Sequence, residues 1–210
     1  MGKKVLIITG SPRQKGNTNA LATAFASGAV AAGNEVEVFD AATANLHGCS
    51  GDKSCEQRGY CGQKDDGVQM NELMRQADVL VLVSPIYWSG FTSQIKRAID
   101  RFYQFSFPKG RETLHIKELY LIAASANPDP AMFNDVVHAY EQLCELLHFD
   151  KGGTLLCPGL AGEDAQLIEN TNYINACRTQ ARIKLDKPVD YFMRNPLGNH
   201  HIILDRKSVV

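Results

Sequence analysis

A buried strand followed at once by a loop of small polar residues decides the fold: KVLIITGSPRQKGNT, residues 4–18. The stretch Lys4–Thr9 is an almost continuous apolar run, which is typical of a strand covered on both faces. Residues 10–18, the first loop, lead into an Ala- and Leu-rich helix predicted over Asn17–Ala32, with Gly33 as its stop. Such a loop brings backbone N–H groups and a helix N-terminus to one point, an arrangement that suits a phosphate.

Strands and helices alternate along the rest of the chain. Further strands are predicted at Glu35–Phe39, Asp78–Val83, Glu118–Ala124 and Thr154–Cys157. Helices are predicted from Asp65 or Asp66 to about Gln76 and over Thr92–Gln104, Pro130–His148 and Glu163–Leu185. Because strands without a polar face alternate with helices, we expect an α/β fold: a three-layer, doubly wound, five-stranded parallel sheet of flavodoxin-like topology. Residues 1–185 would form one domain, and 186–210 a C-terminal extension of it.

Composition narrows the classes of function. The chain has 210 residues and a net charge of −1, so charge gives no indication of a nucleic-acid surface. No stretch approaches the roughly 20 apolar residues needed to span a membrane. We therefore expect neither a nucleic-acid nor a membrane partner. Six cysteines without a secretion signal favour free thiols in a reducing, cytoplasmic setting.

The first loop does not match two common nucleotide motifs. Its glycines, Gly10 and Gly16, stand one residue too far apart for a P-loop, and Asn17 occupies the lysine position. The GxGxxG dinucleotide fingerprint is missing as well. Ser11, Asn17 and Thr18 could donate to a phosphate, and Arg13 could add a charge-assisted contact.

A second loop, SPIYWSGF at residues 84–91, follows the third strand. In flavodoxin-like strand order this point borders the end of the first strand, so both loops would line one crevice. Tyr87 and Trp88 offer broad aromatic faces, and Gly90 permits close backbone approach. Such a loop can hold a flat ring system, although both aromatics could equally pack in the core or at an interface.

These motifs resemble those of the flavodoxin-like superfamily, in its branch of NAD(P)H-dependent FMN reductases and iron–sulfur flavoproteins. The resemblance rests on GSPRQKGNTNAL and SPIYWSGFTSQIKRAIDRF and covers roughly the first 130 residues. It implies noncovalently bound FMN, with NAD(P)H as co-substrate. It also implies a phosphate site of Ser11, Arg13, Asn17, Thr18 and Asn19 and an isoalloxazine site of Pro85, Ile86, Tyr87, Trp88, Ser89 and Gly90. A third loop, residues 125–128, would contact the other side of the flavin through Ser125 and Asn127.

Three cysteines at Cys49-x5-Cys55-x5-Cys61 do not form a complete ligand set. Iron–sulfur clusters normally need four protein ligands, and Asp52 stands where a fourth thiol would pair with Cys49. Zinc held by the three thiolates and His47 is the alternative, although the spacing is unusual. We expect no metal site here.

The resemblance therefore implies an FMN-dependent NAD(P)H oxidoreductase that passes electrons to a small acceptor such as a quinone, a nitroaromatic compound or a flavin. No side chain is nominated as an acid or base, because the cofactor performs the redox chemistry. The alternatives are a nonenzymatic electron carrier, which usually has a more acidic surface, and a flavin-free nucleotide or phosphate binder. A homodimer is expected to cover aromatic residues in and after the second loop, namely Trp88, Phe91, Phe102, Tyr103, Phe105 and Phe107, with the tail segment Ile202–Leu204 reaching across.

Overall fold

A computed structural model of the chain describes residues 2–161 and 172–182. Within this part, the strands are β1 (Lys4–Thr9), β2 (Glu35–Asp40), β3 (Val79–Tyr87), β4 (Gly90–Phe91), β5 (Glu118–Ala124) and β6 (Asp150–Cys157). The helices are α1 (Asn17–Ala31), α2 (Ser54–Arg58), α3 (Gly67–Gln76), α4 (Ser93–Asp100), α5 (Pro108–Arg111), α6 (Asn134–Leu147) and α7 (Asn172–Arg182). Two 3-10 turns lie at Arg101–Ser106 and Pro130–Phe133.

Five strands form a parallel sheet in the spatial order β2-β1-β3-β5-β6. This is the flavodoxin-like order, and the predicted doubly wound fold is confirmed. β2, with its EVEVF alternation, lies at an edge. The two-residue β4 was not predicted; it pairs antiparallel with the end of β3.

The sheet is covered on both faces, because successive side chains of a strand point in opposite directions. Leu6 and Ile8 of β1 pack in a cluster that also contains residues of α3, α4 and α6. Val5 and Ile7 pack on the other side with residues of α1 and α7. The apolar run of β1 thus supplies two separate cores, which gives three layers.

Element boundaries differ from prediction where a local pattern is ambiguous. β6 begins at Asp150 instead of Thr154, since the glycines that favour a loop there lie within the strand. A Cβ on Gly152 would come within 2.3 Å of the Tyr120 ring, so this glycine makes room for a neighbouring aromatic. β3 continues past Val83 to Tyr87, because its pairing with β5 extends to Pro85.

The helices also differ in detail. The predicted helix Thr92–Gln104 is helix α4 followed by a 3-10 turn, and the predicted helix Pro130–His148 begins with a 3-10 turn before α6. Of the predicted helix Glu163–Leu185, Asn172–Arg182 is helical. The proposed extension, residues 186–210, lies outside the described residues. No described helix is long and apolar enough to cross a membrane.

Candidate functional site

A cleft lies at the carboxyl ends of β1, β3 and β5, where the three loops meet. It encloses about 170 Å³. Its lining contains eight of the residues that the sequence indicated: Ser11, Arg13, Asn17, Thr18, Pro85, Ile86, Tyr87 and Ser125. Gly16, Ala124, Ala126 and Leu160 complete it. In doubly wound sheets this crevice is the usual ligand position, because the chain order reverses there.

The first loop brings buried polar side chains to one end of the cleft. Ser11, Asn17 and Thr18 are 3%, 7% and 4% exposed. Ser11 closes a local turn, since its Oγ accepts a hydrogen bond from the Arg13 N–H at 3.3 Å. Among the described residues, the Asn17 Oδ1 has no hydrogen-bond partner. Buried polar groups are normally paired, so this acceptor is available to a hydrogen-bond donor of a ligand.

Helix α1 begins at this end without a side-chain cap. Its N-cap residue is Gly16, and its first turn contains no acidic side chain. The first N–H groups of a helix have no partner within the helix and carry the positive end of its dipole. Together with the exposed Arg13, they make this end of the cleft attractive to an anion.

Asn19 supports the first loop from outside the cleft. Its Nδ2 donates to the carbonyl oxygens of Arg13, at 3.1 Å, and of Gln14, at 3.3 Å. Asn19 is absent from the cleft lining. Its side chain therefore fixes the shape of the loop.

Buried hydrogen bonds join the first and second loops. The Thr92 Oγ1 donates to the Gly10 carbonyl at 2.7 Å, and the Thr92 N–H donates to the Ser84 Oγ at 3.4 Å. A Cβ on Gly10 would lie only 2.4 Å from the Ile95 Cβ, so the end of β1 packs directly on α4. The two loops therefore hold a fixed position relative to each other.

The second loop is a tight β-hairpin whose tip is Trp88–Ser89. Tyr87 pairs with Gly90, and Ile86 pairs with Phe91. Trp88 and Ser89 have φ values of 49° and 62°, in the left-handed region. Pro85, Ile86 and Tyr87 line the cleft, while Trp88, Ser89 and Gly90 lie beyond its lining.

The third loop faces the cleft mainly through small residues. Ser125 is 4% exposed, and its Oγ accepts a hydrogen bond from the Asn127 N–H at 3.1 Å. The Asn127 Oδ1 accepts from the Asp129 N–H at 2.9 Å, so this side chain stabilises the turn outside the cleft lining. Leu160 joins the lining, its N–H donating to the Ser125 carbonyl at 2.8 Å. Sequence reasoning missed Leu160 and Ala124, which lie outside the quoted motifs, and assigned no role to Ala126 within the third loop.

The segment between β2 and α3, residues 41–66, contains three cysteines and is called the cysteine loop below. Cys49 is exposed, Cys55 is buried and Cys61 is partly buried. Burial, and to a lesser extent the neighbouring Cys61, raise the pKa of the Cys55 thiol. Within the described part of the chain, no three His, Cys, Asp or Glu side chains are arranged to hold a metal ion.

A buried ion pair anchors the cysteine loop. Arg101 donates two hydrogen bonds to the Asp65 carboxylate, at 2.9 and 3.2 Å, and both side chains are about 2% exposed or less. Burial opposes ionisation of Asp65, but hydrogen bonds from Arg101 and from the His47 N–H outweigh it and lower its pKa to about 2. Arg101 also donates to the His47 carbonyl at 3.1 Å. His47 is thus held through its contacts to this pair.

Comparison with known proteins identifies relatives of two kinds. An iron–sulfur flavoprotein of Methanocaldococcus jannaschii is 36% identical over 98 residues, covering 47% of this chain and 51% of that protein. An Archaeoglobus fulgidus iron–sulfur flavoprotein is 34% identical over 98 residues, 47% of this chain and 44% of that protein. The chain thus spans about half the length of these curated relatives. The NAD(P)H-dependent FMN-containing oxidoreductase YwqN of Bacillus subtilis is 26% identical over 164 residues, 74% of this chain and 85% of that protein.

The iron–sulfur relatives imply a cluster that the cysteine loop does not fit. Three cysteines are one short of the usual ligand number, and Cys55 is buried. His47, the candidate fourth ligand for zinc, lies with its Nδ1 3.2 Å from the Asp65 Oδ2. The described residues therefore supply no complete ligand set in this loop.

The chain is similar to solved structures in its fold, and its sequence matches a family model. The NAD(P)H:quinone oxidoreductase from Methanothermobacter marburgensis superposes with a TM-score of 0.69 at 18% identity, covering 87% of this chain and 96% of that chain. At this identity the likeness shows the fold alone. The model of the NADPH-dependent FMN reductases matches residues 3–136, which include the first and second loops and all three loop cysteines. The chain therefore belongs to the NADPH-dependent FMN reductase family.

Proposed function

We propose that the chain is an FMN-dependent NAD(P)H oxidoreductase that passes electrons to a small quinone, nitroaromatic or flavin acceptor. The observation that carries this proposal is the cleft itself, which has an uncapped helix N-terminus at one end and an aromatic hairpin at the other. When bound there, FMN would supply the redox chemistry, taking hydride from the nicotinamide and delivering electrons to the acceptor. Family membership and the YwqN relative support the same activity.

The first loop fits the phosphate of FMN. Ser11, Asn17 and Thr18 combine burial with hydrogen-bonding groups, and Arg13 adds a positive charge. A dianion at the start of α1 would receive N–H groups that the helix leaves unpaired. Asn19 would act indirectly, by fixing the backbone of Arg13 and Gln14.

The second and third loops fit a flat ring system. Pro85, Ile86 and Tyr87 form one wall of the cleft, and Ala124, Ser125 and Ala126 form another. Small residues on one wall leave room for a ring. Ser89, Gly90 and Asn127 would position these walls through their turns rather than by side-chain contact.

Anaerobic mixing with NADH and with NADPH tests the activity. Protein loaded with FMN should lose its flavin absorbance with at least one nicotinamide and regain it on addition of a quinone. Free FMN at the same concentration is the control, because it sets the uncatalysed rate. Failure to take up FMN, or no bleaching above the control with either nicotinamide, would refute the proposed function.

We also propose that the protein is a homodimer, although fewer exposed aromatic residues support this than the sequence predicted. Phe102 and Phe105 are 2% and 0% exposed, so the expectation that they form part of an exposed aromatic surface is wrong. Both pack in the core against the sheet. Trp88, Tyr87 and Tyr103 remain exposed, and the tail segment Ile202–Leu204 lies outside the described residues. Light scattering coupled to size exclusion should give twice the 23.1 kDa chain mass; a monomer that retains FMN and activity would contradict the dimer.

The cytoplasm is the proposed compartment. All six cysteines lie in the described residues, and none of them forms a disulfide. Free thiols persist in reducing compartments. Thiol titration of protein purified without reductant should find six free thiols per denatured chain.

A further inference from the structure

Thr92 lies between the first and second loops, which form the two ends of the cleft. It directly follows β4, the strand that closes the hairpin of the second loop, and it is the N-cap residue of α4. Its side chain is fully buried and is absent from the cleft lining. Thr92 can therefore affect a ligand in the cleft only through the backbone that it holds.

The Thr92 hydroxyl acts as donor and acceptor at the same time. Its Oγ1 accepts a hydrogen bond from the Ile95 N–H at 3.3 Å and donates to the Gly10 carbonyl at 2.7 Å. A hydroxyl combines these two functions in one small group, whereas valine has a similar shape and neither function. Thr92→Val would therefore leave the buried Gly10 carbonyl without this donor.

Gly10, the first residue of the first loop, is held on both sides. Its N–H donates to the Val83 carbonyl of β3 at 2.9 Å, and its carbonyl accepts from Thr92. A Cβ on Gly10 would lie 2.9 Å from the Thr92 Oγ1, so glycine permits this close approach. Ser11 is the next residue and lines the cleft, so a shift of Gly10 would also move Ser11.

The backbone of Thr92 is linked to the start of the second loop. Its N–H donates to the Oγ of the fully buried Ser84 at 3.4 Å. Pro85, the next residue, belongs to the cleft wall. Thr92 thus contacts the residue before Ser11 at one end of the cleft and the residue before Pro85 at the other.

We propose that Thr92 is a positioning residue that sets the spacing between the phosphate site and the ring site of the cleft. This inference rests on the proposed function. FMN carries its phosphate and its ring on one molecule, so it binds tightly only where both sites can be reached at once. Riboflavin has the ring without the phosphate, and its binding does not depend on the spacing.

The test compares Thr92→Val and Thr92→Ser with the wild type by fluorescence titration with FMN and with riboflavin. We expect Thr92→Val to weaken FMN binding by about five- to twentyfold and riboflavin binding by less than about twofold, because only FMN requires both sites in register. Thr92→Ser keeps the hydroxyl and should restore FMN affinity to within about twofold of the wild type. An unchanged FMN affinity in Thr92→Val, or an equal loss for both flavins, would overturn the positioning role.

Tyr140→Phe is the matched control for the loss of a buried hydroxyl. The Tyr140 hydroxyl donates to the Leu119 carbonyl at 3.0 Å and accepts from the Gly153 N–H at 3.3 Å, outside the cleft lining. Like Thr92→Val, this variant removes a hydroxyl that joins two elements and changes the shape little. It should leave the preference for FMN over riboflavin at the wild-type value. A loss of preference as large as that of Thr92→Val would show a general effect of stability and overturn the proposal.

Ser84→Ala provides a second test that does not depend on the folding of Thr92→Val. It removes the acceptor of the Thr92 N–H while the link to Gly10 remains, so we expect a smaller loss of the FMN preference, about two- to fivefold. An unchanged preference in Ser84→Ala would overturn the role of this link. Wild-type protein that binds no FMN would refute the proposed function and this role with it, whereas wild-type binding with unaffected variants refutes the role alone.

Discussion

At the cleft, helix α1 begins without a side-chain cap, whereas the buried charge of Asp65 in the cysteine loop is paired with Arg101, which follows α4. Both regions contain a motif that suggested a ligand, one a phosphate and the other a metal. The two regions differ in whether their polar groups find partners within the chain. The cleft presents buried polar side chains and helix N–H groups to a ligand, while the cysteine loop obtains its structure from contacts within the protein. Polar groups that face a cleft therefore distinguish the candidate ligand site from the cysteine loop better than the types of residue in each motif do.

Breaking the ion pair should give the largest effect on stability. Arg101→Leu would leave the Asp65 carboxylate buried without its cation, and we expect a loss of about 3–5 kcal/mol in the free energy of unfolding. Urea denaturation measures it. Lys96→Met is the control, because the Lys96–Asp100 pair is exposed and should contribute less than about 1 kcal/mol. Equal midpoints for the two variants would show that the pair does not anchor the loop.

Removing donors from the first loop should weaken FMN binding without a comparable loss of stability. Asn17→Ala and Thr18→Ala should each reduce the binding free energy by about 1–3 kcal/mol, since each removes a buried polar partner of a charged group. Fluorescence titration with FMN gives the affinity. Thr23→Ala is the matched control on α1, because the exposed Thr23 hydroxyl donates to the Asn19 carbonyl and does not line the cleft. Unchanged affinity in both loop variants would remove the phosphate from this site.

Acid should weaken the cysteine loop through Asp65. Its pKa in the folded chain is about 2, below the roughly 3.9 of an unfolded aspartate, so the ionised form stabilises the fold. That contribution is complete above about pH 4 and is lost as the pH falls towards 2. The urea midpoint of the wild type should therefore fall more steeply between pH 4 and pH 2.5 than that of Asp65→Asn. Parallel pH profiles would contradict this assignment.

Changing the exposed Cys49 and the partly buried Cys61 should have the smallest effect. Cys49→Ser combined with Cys61→Ser should alter the free energy of unfolding by less than about 1 kcal/mol and leave FMN affinity and bleaching unchanged. Anaerobically purified wild-type protein should contain neither iron nor labile sulfide. Stoichiometric iron would contradict this prediction and indicate an iron–sulfur cluster like the one that the relatives imply. One zinc per chain, lost in the double variant, would indicate a metal site made of these thiolates.

Sequence patterns predicted the sheet well, because its strands are short apolar runs between helices. β1 and β5 have the predicted bounds, and the strand order follows the flavodoxin-like pattern. The start of β6 was missed because Gly152 favours a loop by composition, although the Tyr120 ring requires it within the strand. That requirement depends on a residue more than thirty positions away, which no local pattern contains.

The candidate site was predicted less completely than the fold. Side chains with hydrogen-bonding groups, such as Ser11 and Thr18, were identified because their chemistry is visible in the sequence. Leu160 was missed because it lines the cleft as an apolar residue in a segment outside the quoted motifs. The hairpin at Trp88–Ser89 was not predicted, because neither residue favours the backbone conformation that it adopts.

The central claim is that the N-terminus of α1 and the first loop bind the phosphate of FMN, and comparison of FMN with riboflavin tests it most directly. Riboflavin has the same ring and lacks only the phosphate. We expect the wild type to bind FMN at least about 100-fold more tightly, the equivalent of two charged hydrogen bonds, and the Asn17→Ala/Thr18→Ala double variant to lose most of that preference. Equal affinity of the wild type for FMN and riboflavin would contradict the account.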